Sequence, residues 1–221
     1  MATAIKAVLF DFGGVLAEEG FRNGLQALAR EQGLDVYGMP RAAMQAVYES
    51  GFVLGRGSAA DFWALLRQRT GLQGDDATLS QRILDGFVIR PEMISLVRQL
   101  RSAGYLTGIL SDQTRWLDAL DRKYHFYAAF DQIYNSCYLG KGKQDPSLFD
   151  DVSADLGLPN GAILFVDDDT GNAARARKTG MQAIVFSDQA QLISVLQDRL
   201  PGFCFRPGGG QSTPHGVGET A

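Results

Sequence analysis

The sequence predicts an α/β fold, a doubly wound parallel sheet of the Rossmann type with a helical subdomain inserted after its first strand. Three observations predict it. Five short apolar runs, each ending in polar or acidic residues, alternate with helix-like stretches, as strands buried on both faces do. About eighty residues between the first run and Pro91 read almost wholly helical, too long for an ordinary crossover. At 221 residues the chain also exceeds the usual single domain, which leaves room for such an insertion.

The strands are expected at 6–10, 106–110, 132–135, 162–166 and 182–186. Inside the insertion, helices are expected at 24–31, 42–50, 58–69 and 79–87. Ser58 with Asp61 three residues on forms a capping-box pattern, Phe62, Leu65 and Leu66 give that helix one apolar face, and Gly71 ends it. Pro91 opens a further helix to Arg101 whose Ile94, Leu96, Val97 and Leu100 would lie on the sheet. Residues 207–221 carry five glycines and almost no large apolar residue, so they are expected to form a flexible tail. Domain bounds follow: a core of 1–16 and 89–206, and an insertion of 17–88.

Composition excludes several classes of function. Hydrophobic residues make up 45% and charged residues 21%, the balance of a globular protein. A formal charge of −4 with no basic stripe argues against nucleic acid as a partner. Apolar runs such as Ala7-Val8-Leu9-Phe10 are far short of a membrane span, and Asp11 interrupts any export-signal core, so a cytoplasmic protein without a membrane partner is expected. Cys137, Cys204, His125 and His215 have neither zinc-ligand spacing nor triad partners.

In doubly wound sheets ligands bind at the carboxyl ends of the strands, so the residues just past each strand are the ones to read. The first strand runs into Asp11-Phe12-Gly13-Gly14-Val15-Leu16, a carboxylate followed by glycines that allow close backbone approach. The second ends at Ser111-Asp112, the third is followed by Lys141-Gly142-Lys143, and the fourth ends at Asp167-Asp168-Asp169 with Asn172 beyond. Each has a bland explanation taken alone: a turn, an N-cap, a solvated lysine, a helix start. Together, four strands deliver Asp, Ser, Lys and an acidic pair to one sheet edge. Oxygen-only ligands suit a hard cation such as Mg²⁺, and Mg²⁺ with a lysine and a hydroxyl suits a phosphoryl group. Asp11 is then a carboxylate nucleophile.

In these residues the chain resembles the haloacid dehalogenase-like hydrolase superfamily, whose four motifs fall on successive strand ends in this order. The resemblance spans residues 4–200 and makes the insertion similar to an α-helical C1-type cap. It implies that Asp11 attacks phosphorus, that Asp11, the Gly13 carbonyl and Asp168 hold Mg²⁺ with Asp167 in support, and that Ser111 and Lys143 bind the transferring oxygens. The backbone N–H groups of Phe12 and Asp112 are implied as further phosphate donors. Lys143 is preferred to Lys141 because Pro146 starts the next helix close behind it.

Two departures stand out. The superfamily's phosphatases usually carry a second Asp where this chain has Gly13, and losing a general acid costs about 10²–10⁴ in rate. The expected activity is therefore an Mg²⁺-dependent phosphomonoesterase acting on a small phosphometabolite with a good leaving group, such as a sugar 1-phosphate, or one that uses Glu18 or Glu19 as the acid. Asp112 replaces a common Asn, and its charge would weaken phosphate binding unless it points away. The alternatives are a 2-haloacid dehalogenase-type hydrolase and a catalytically weak phosphometabolite-binding protein. Arg22, Tyr48, Phe52, Arg56, Phe62 and Trp63 are candidate substrate contacts, and a monomer or homodimer is expected.

Overall fold

The computed structural model describes residues 3–207, so most of the expected tail lies outside the described residues. Five strands, β1 (Ala7–Phe10), β2 (Leu106–Ser111), β3 (Gln132–Asn135), β4 (Ile163–Asp167) and β5 (Gln182–Val185), form one sheet in the order β3-β2-β1-β4-β5. Every pairing is parallel, with β1 at the centre; Phe10 lies opposite Ile109 on one side and Val166 on the other. Strand residues alternate between two apolar layers, as a period of two requires. Val8, Phe10, Ile109, Val166 and Ile184 share one layer; Ala7, Leu9, Leu110, Phe165 and Ala183 share the other.

The described residues form ten α-helices. Four lie between β1 and Pro91: α1 (Gly20–Glu31), α2 (Gly38–Glu49), α3 (Ala59–Thr70) and α4 (Asp76–Asp85). They are followed by α5 (Pro91–Ser102), α6 (Trp116–Tyr124), α7 (Ser136–Leu139), α8 (Ser147–Leu156), α9 (Thr170–Lys178) and α10 (Gln189–Arg199). Helices α5, α6 and α10 cover the first layer with Met93, Leu96, Leu117 and Leu192, while α8 and α9 cover the second with Phe149 and Ala173. The Ser58 capping box forms in full, and Gly71 ends α3 at φ 74°, a left-handed conformation that glycine tolerates at no steric cost. Among the described residues no helix is long and apolar enough to cross a membrane.

The helical block joins the sheet through two crossing segments that lie side by side. Ala17 bridges Ile89 in antiparallel fashion, Glu18 N–H donates to Val88 C=O at 2.8 Å, and Arg90 N–H donates to Leu16 C=O at 2.9 Å. Phe12, directly after the first strand, stacks on Phe126 at 5.1 Å between ring centroids and lies 5.6 Å from Phe87. The apolar residues of the block are therefore continuous with the first layer of the sheet.

Candidate active site

The site lies at the carboxyl ends of β1, β2 and β4. Asp11 follows β1, Ser111 ends β2 and Asp167 ends β4, so neighbouring parallel strands bring three polar side chains together across a register the apolar runs fix. Lys143 comes from the loop between α7 and α8; its side chain is only 2% exposed and its Nζ lies 2.9 Å from Asp11 Oδ1 and 2.7 Å from Asp167 Oδ2. Lys141 instead pairs with Asp151 and Ser147 on the exposed side of the loop.

Asp11 Oδ1 accepts from Ser111 Oγ at 2.6 Å and Phe12 N–H at 2.7 Å, besides the lysine. Among the described residues no hydrogen bond reaches Asp11 Oδ2. The Phe12 N–H, expected as a phosphate donor, donates to the Asp11 carboxylate in this structure. Burial raises the pKa of Asp11, against the opposing pull of Lys143 and Ser111. Burial alone would lower the pKa of Lys143, but the charges of Asp11, Asp167 and Asp112 outweigh it and hold the ammonium protonated.

Asp11, Asp167 and Asp168 each offer a carboxylate oxygen within 4.8 Å of the others. Asp167 is fully occupied, by Lys143, by Asn172 Nδ2 and by the Asp169 N–H at 2.7 Å. Asp169 in turn caps α9 by accepting from Asn172 N–H. Asp168, half-buried, forms no ion pair among the described residues, and burial together with the Asp167 charge raises its pKa. Three crowded carboxylates served by one ammonium are what a divalent cation with oxygen ligands relieves, so the residues fit Mg²⁺. Asp11 and Asp168 are the carboxylates that would hold it, with Asp167 orienting the lysine beside them; the Gly13 carbonyl is the further ligand implied by the resemblance. A folded-state pKa raised above the unfolded one favours folding only below the unfolded value and loses that advantage as pH rises through the folded one. At pH 7 without metal, Asp168 is thus a cost. Asp168→Asn is expected to raise the metal-free melting temperature by a few degrees while abolishing the rise that Mg²⁺ gives the wild type, about 5–10 °C at 100 times Kd. Thermal unfolding in EDTA and in Mg²⁺ checks both, and an unchanged Mg²⁺ response in the variant would remove Asp168 from the site.

Asp112 lines the cavity, with its carboxylate already hydrogen-bonded within the protein. Its carboxylate accepts from Lys143 N–H at 2.9 and 3.1 Å and from the Tyr48 hydroxyl, so the charge serves the lysine loop and the helix α2. Burial and that neighbouring charge push the Tyr48 pKa well above the usual tyrosine value. The two candidate acids also separate. Glu18 is 51% exposed and pairs with Arg90. Glu19 caps α1, its Oε2 accepting from Arg22 N–H at 3.0 Å, while a Cβ placed on Gly13 would lie 3.2 Å from Glu19 Oε1. The glutamate thus reaches the space that a side chain at position 13 would enter. Its pKa is raised, first by burial and then by the charges of Asp168 and Asp11.

The cavity of about 370 Å³ above these groups includes Arg22 and Tyr48 in its lining. Phe52, Phe62 and Trp63 are buried instead in an aromatic cluster with Trp116, and Arg56 donates to Gly140 C=O at 2.8 Å. Arg175, unforeseen from the sequence, ties the Lys143 carbonyl to Asn172. An arginine in the second turn of the helix that follows an acidic strand end was its only signal.

The profile of the haloacid dehalogenase-like hydrolases matches residues 5–180. The chain belongs to this family. The hydrolase is 26% identical over 195 residues to sesquiterpene phosphatase astK of Aspergillus oryzae, an alignment covering 85% of this chain and 93% of that one. A predicted family hydrolase from Porphyromonas gingivalis superposes with a TM-score of 0.67 at 25% identity, over 89% of this chain and 98% of that one. A family enzyme from Bacteroides thetaiotaomicron, solved with magnesium and inorganic phosphate, shares the fold at a TM-score of 0.65 and 21% identity, over 86% and 99% of the two chains.

Proposed function

We propose that this hydrolase is an Mg²⁺-dependent phosphomonoesterase working through an aspartyl-phosphate, on a small phosphate ester held under a cap made by α1–α4. The observation that carries the reading is the buried Lys143 bridging Asp11 and Asp167 beside the unpaired Asp168. A dehalogenase needs the nucleophile but not the acidic trio, and the relative along most of the chain is a phosphatase. Bound Mg²⁺ would supply charge neutralisation for the phosphate and the nucleophile.

Asp11 Oδ2 attacks phosphorus as the P–O bond to the alcohol breaks. Lys143 and Ser111, already at the nucleophile, meet the charge on the equatorial oxygens. Glu19 Oε1 protonates the departing alkoxide. As a carboxylate it then takes a proton from the water that attacks the phosphoryl group, which releases phosphate and restores Asp11 and Glu19-H.

Phosphate release from p-nitrophenyl phosphate that requires Mg²⁺ is the expected result; chloride release from a short haloacid without Mg²⁺, and no phosphate, would overturn the reading. Glu19→Gln tests the acid. Alkyl phosphates, whose alkoxide must be protonated, are expected to lose about 10²–10⁴ in kcat, and p-nitrophenyl phosphate far less in its first step. Because the acid must be protonated, kcat/KM for alkyl esters falls as pH rises through the raised Glu19 pKa, a limb the variant lacks. Equal losses on both ester types would remove Glu19 from this role.

A further inference from the structure

The cavity over the site has two unlike halves. Its floor carries the carboxylates, Ser111 and Lys143, with Gln113 and Gln144 beside them. Its apolar lining comes mostly from the helical block: Phe21 from α1, Pro40, Met44 and Val47 from α2, and Val53, with Trp116 of α6 beside them. Pro40, Met44 and Val47 recur at helical spacing along the cavity side of α2; Val47 is buried with Met39, Ala43 and Ala46 in the helical block, whereas Pro40 and Met44 are left more open to the cavity. Met44 is left 46% exposed, an apolar side chain with unfilled space before it.

The polar groups that the helical block brings to the cavity are few, and most already have a partner. Glu19 and Arg22 pair with each other, and the Tyr48 hydroxyl donates to Asp112. A polyol seated against this wall would bury hydroxyls without partners, each costing roughly tenfold or more in affinity. Methylene groups there would gain up to about fourfold each.

We propose that the substrate is the phosphate monoester of an aliphatic alcohol, its hydrocarbon portion seated between Phe21, Met44, Val47, Val53 and Trp116. This rests on the phosphatase reading for its reaction, and it replaces the sugar phosphate expected from the sequence. The wall selects the alcohol and the floor holds the phosphate, in one continuous cavity.

The test measures binding and turnover separately. Ethyl-, butyl-, hexyl- and octylphosphonate, which cannot be hydrolysed, are titrated into the full chain with Mg²⁺ by calorimetry. The matching alkyl phosphates and glucose 6-phosphate are assayed for phosphate release. Affinity is expected to rise about two- to fourfold per methylene through hexyl. Met44→Gln, at a half-exposed position, is expected to lower the octyl-to-ethyl ratio severalfold. Affinity that is flat or falls with chain length, or no phosphonate binding at all, overturns the proposal, as does preferred turnover of glucose 6-phosphate. Affinity that climbs with chain length while no ester releases phosphate upholds this ligand class and sinks the phosphatase reading instead.

Discussion

Asp11→Asn is expected to lower kcat for phosphate esters by about 10⁴-fold or more, because the amide keeps the shape of the nucleophile and removes its lone-pair reactivity. The geometry makes this a clean substitution. The Ser111 hydroxyl and the Phe12 N–H can still donate to the amide oxygen where they now meet Oδ1, so the loss falls on the chemistry and the fold is kept. Phosphate release and acid-quench trapping of a phosphorylated residue 11 check it together. A variant within tenfold of wild type would mean that the attacking atom lies elsewhere.

Lys143→Met is expected to destabilise the protein by about 3–5 kcal/mol, a fall of roughly 6–20 °C in melting temperature, as well as to abolish turnover. The Nζ ties Asp11 to Asp167, and both carboxylates are buried, so removing the ammonium leaves two facing charges with no counterion in a poorly solvated place. Their pKa values are already raised by burial with the lysine present, and would rise further without it. Protonation relieves the repulsion, so the deficit relative to wild type shrinks as pH falls through those raised values. Thermal unfolding of both proteins at pH 7 and pH 5 measures this. A melting temperature equal to wild type at pH 7 would show that the bridge contributes nothing net.

Much of this was legible in the sequence because the sheet is built from short runs buried on both faces, which announce themselves without help from tertiary context. The strand ends moved by a residue where a polar side chain continues the pairing: Ser111 and Asp167 belong to their strands, although polarity alone suggests a stop. Helices α1 and α4 begin earlier than the apolar pattern does. Glu19 is an uncommon N-cap, and Asp75, accepting from Thr78 N–H, precedes the first buried residue of α4 by a full turn. At the site, the strand-end residues were readable one by one, while their division of labour was not. Nothing in the spacing of Glu18 and Glu19 says which faces inward; the start of α1 decides it. The apolar wall was hidden for a different reason, since Met44 and Val47 are the residue types a core uses, and only the packing shows that Val47 is buried while Met44 is left half-exposed at the cavity.

The side-by-side crossings at Leu16–Glu18 and Val88–Arg90 mean that the whole helical block leaves and re-enters the sheet at one doorway. A segment grafted in this way can be lengthened, shortened or exchanged without changing the order or register of any strand. The strand-end groups Asp11, Ser111 and Asp167 sit on one side of that doorway, and most of the apolar lining of the cavity sits on the other. The carboxylate cluster and most of the apolar lining are therefore carried on separable stretches of chain. The two stretches are nevertheless tied at several points: Phe52, Phe62 and Trp63 pack on Trp116, Arg56 donates to Gly140 C=O, Ser136 Oγ donates to Val53 C=O, Phe12 meets Phe87 and Tyr48 donates to Asp112.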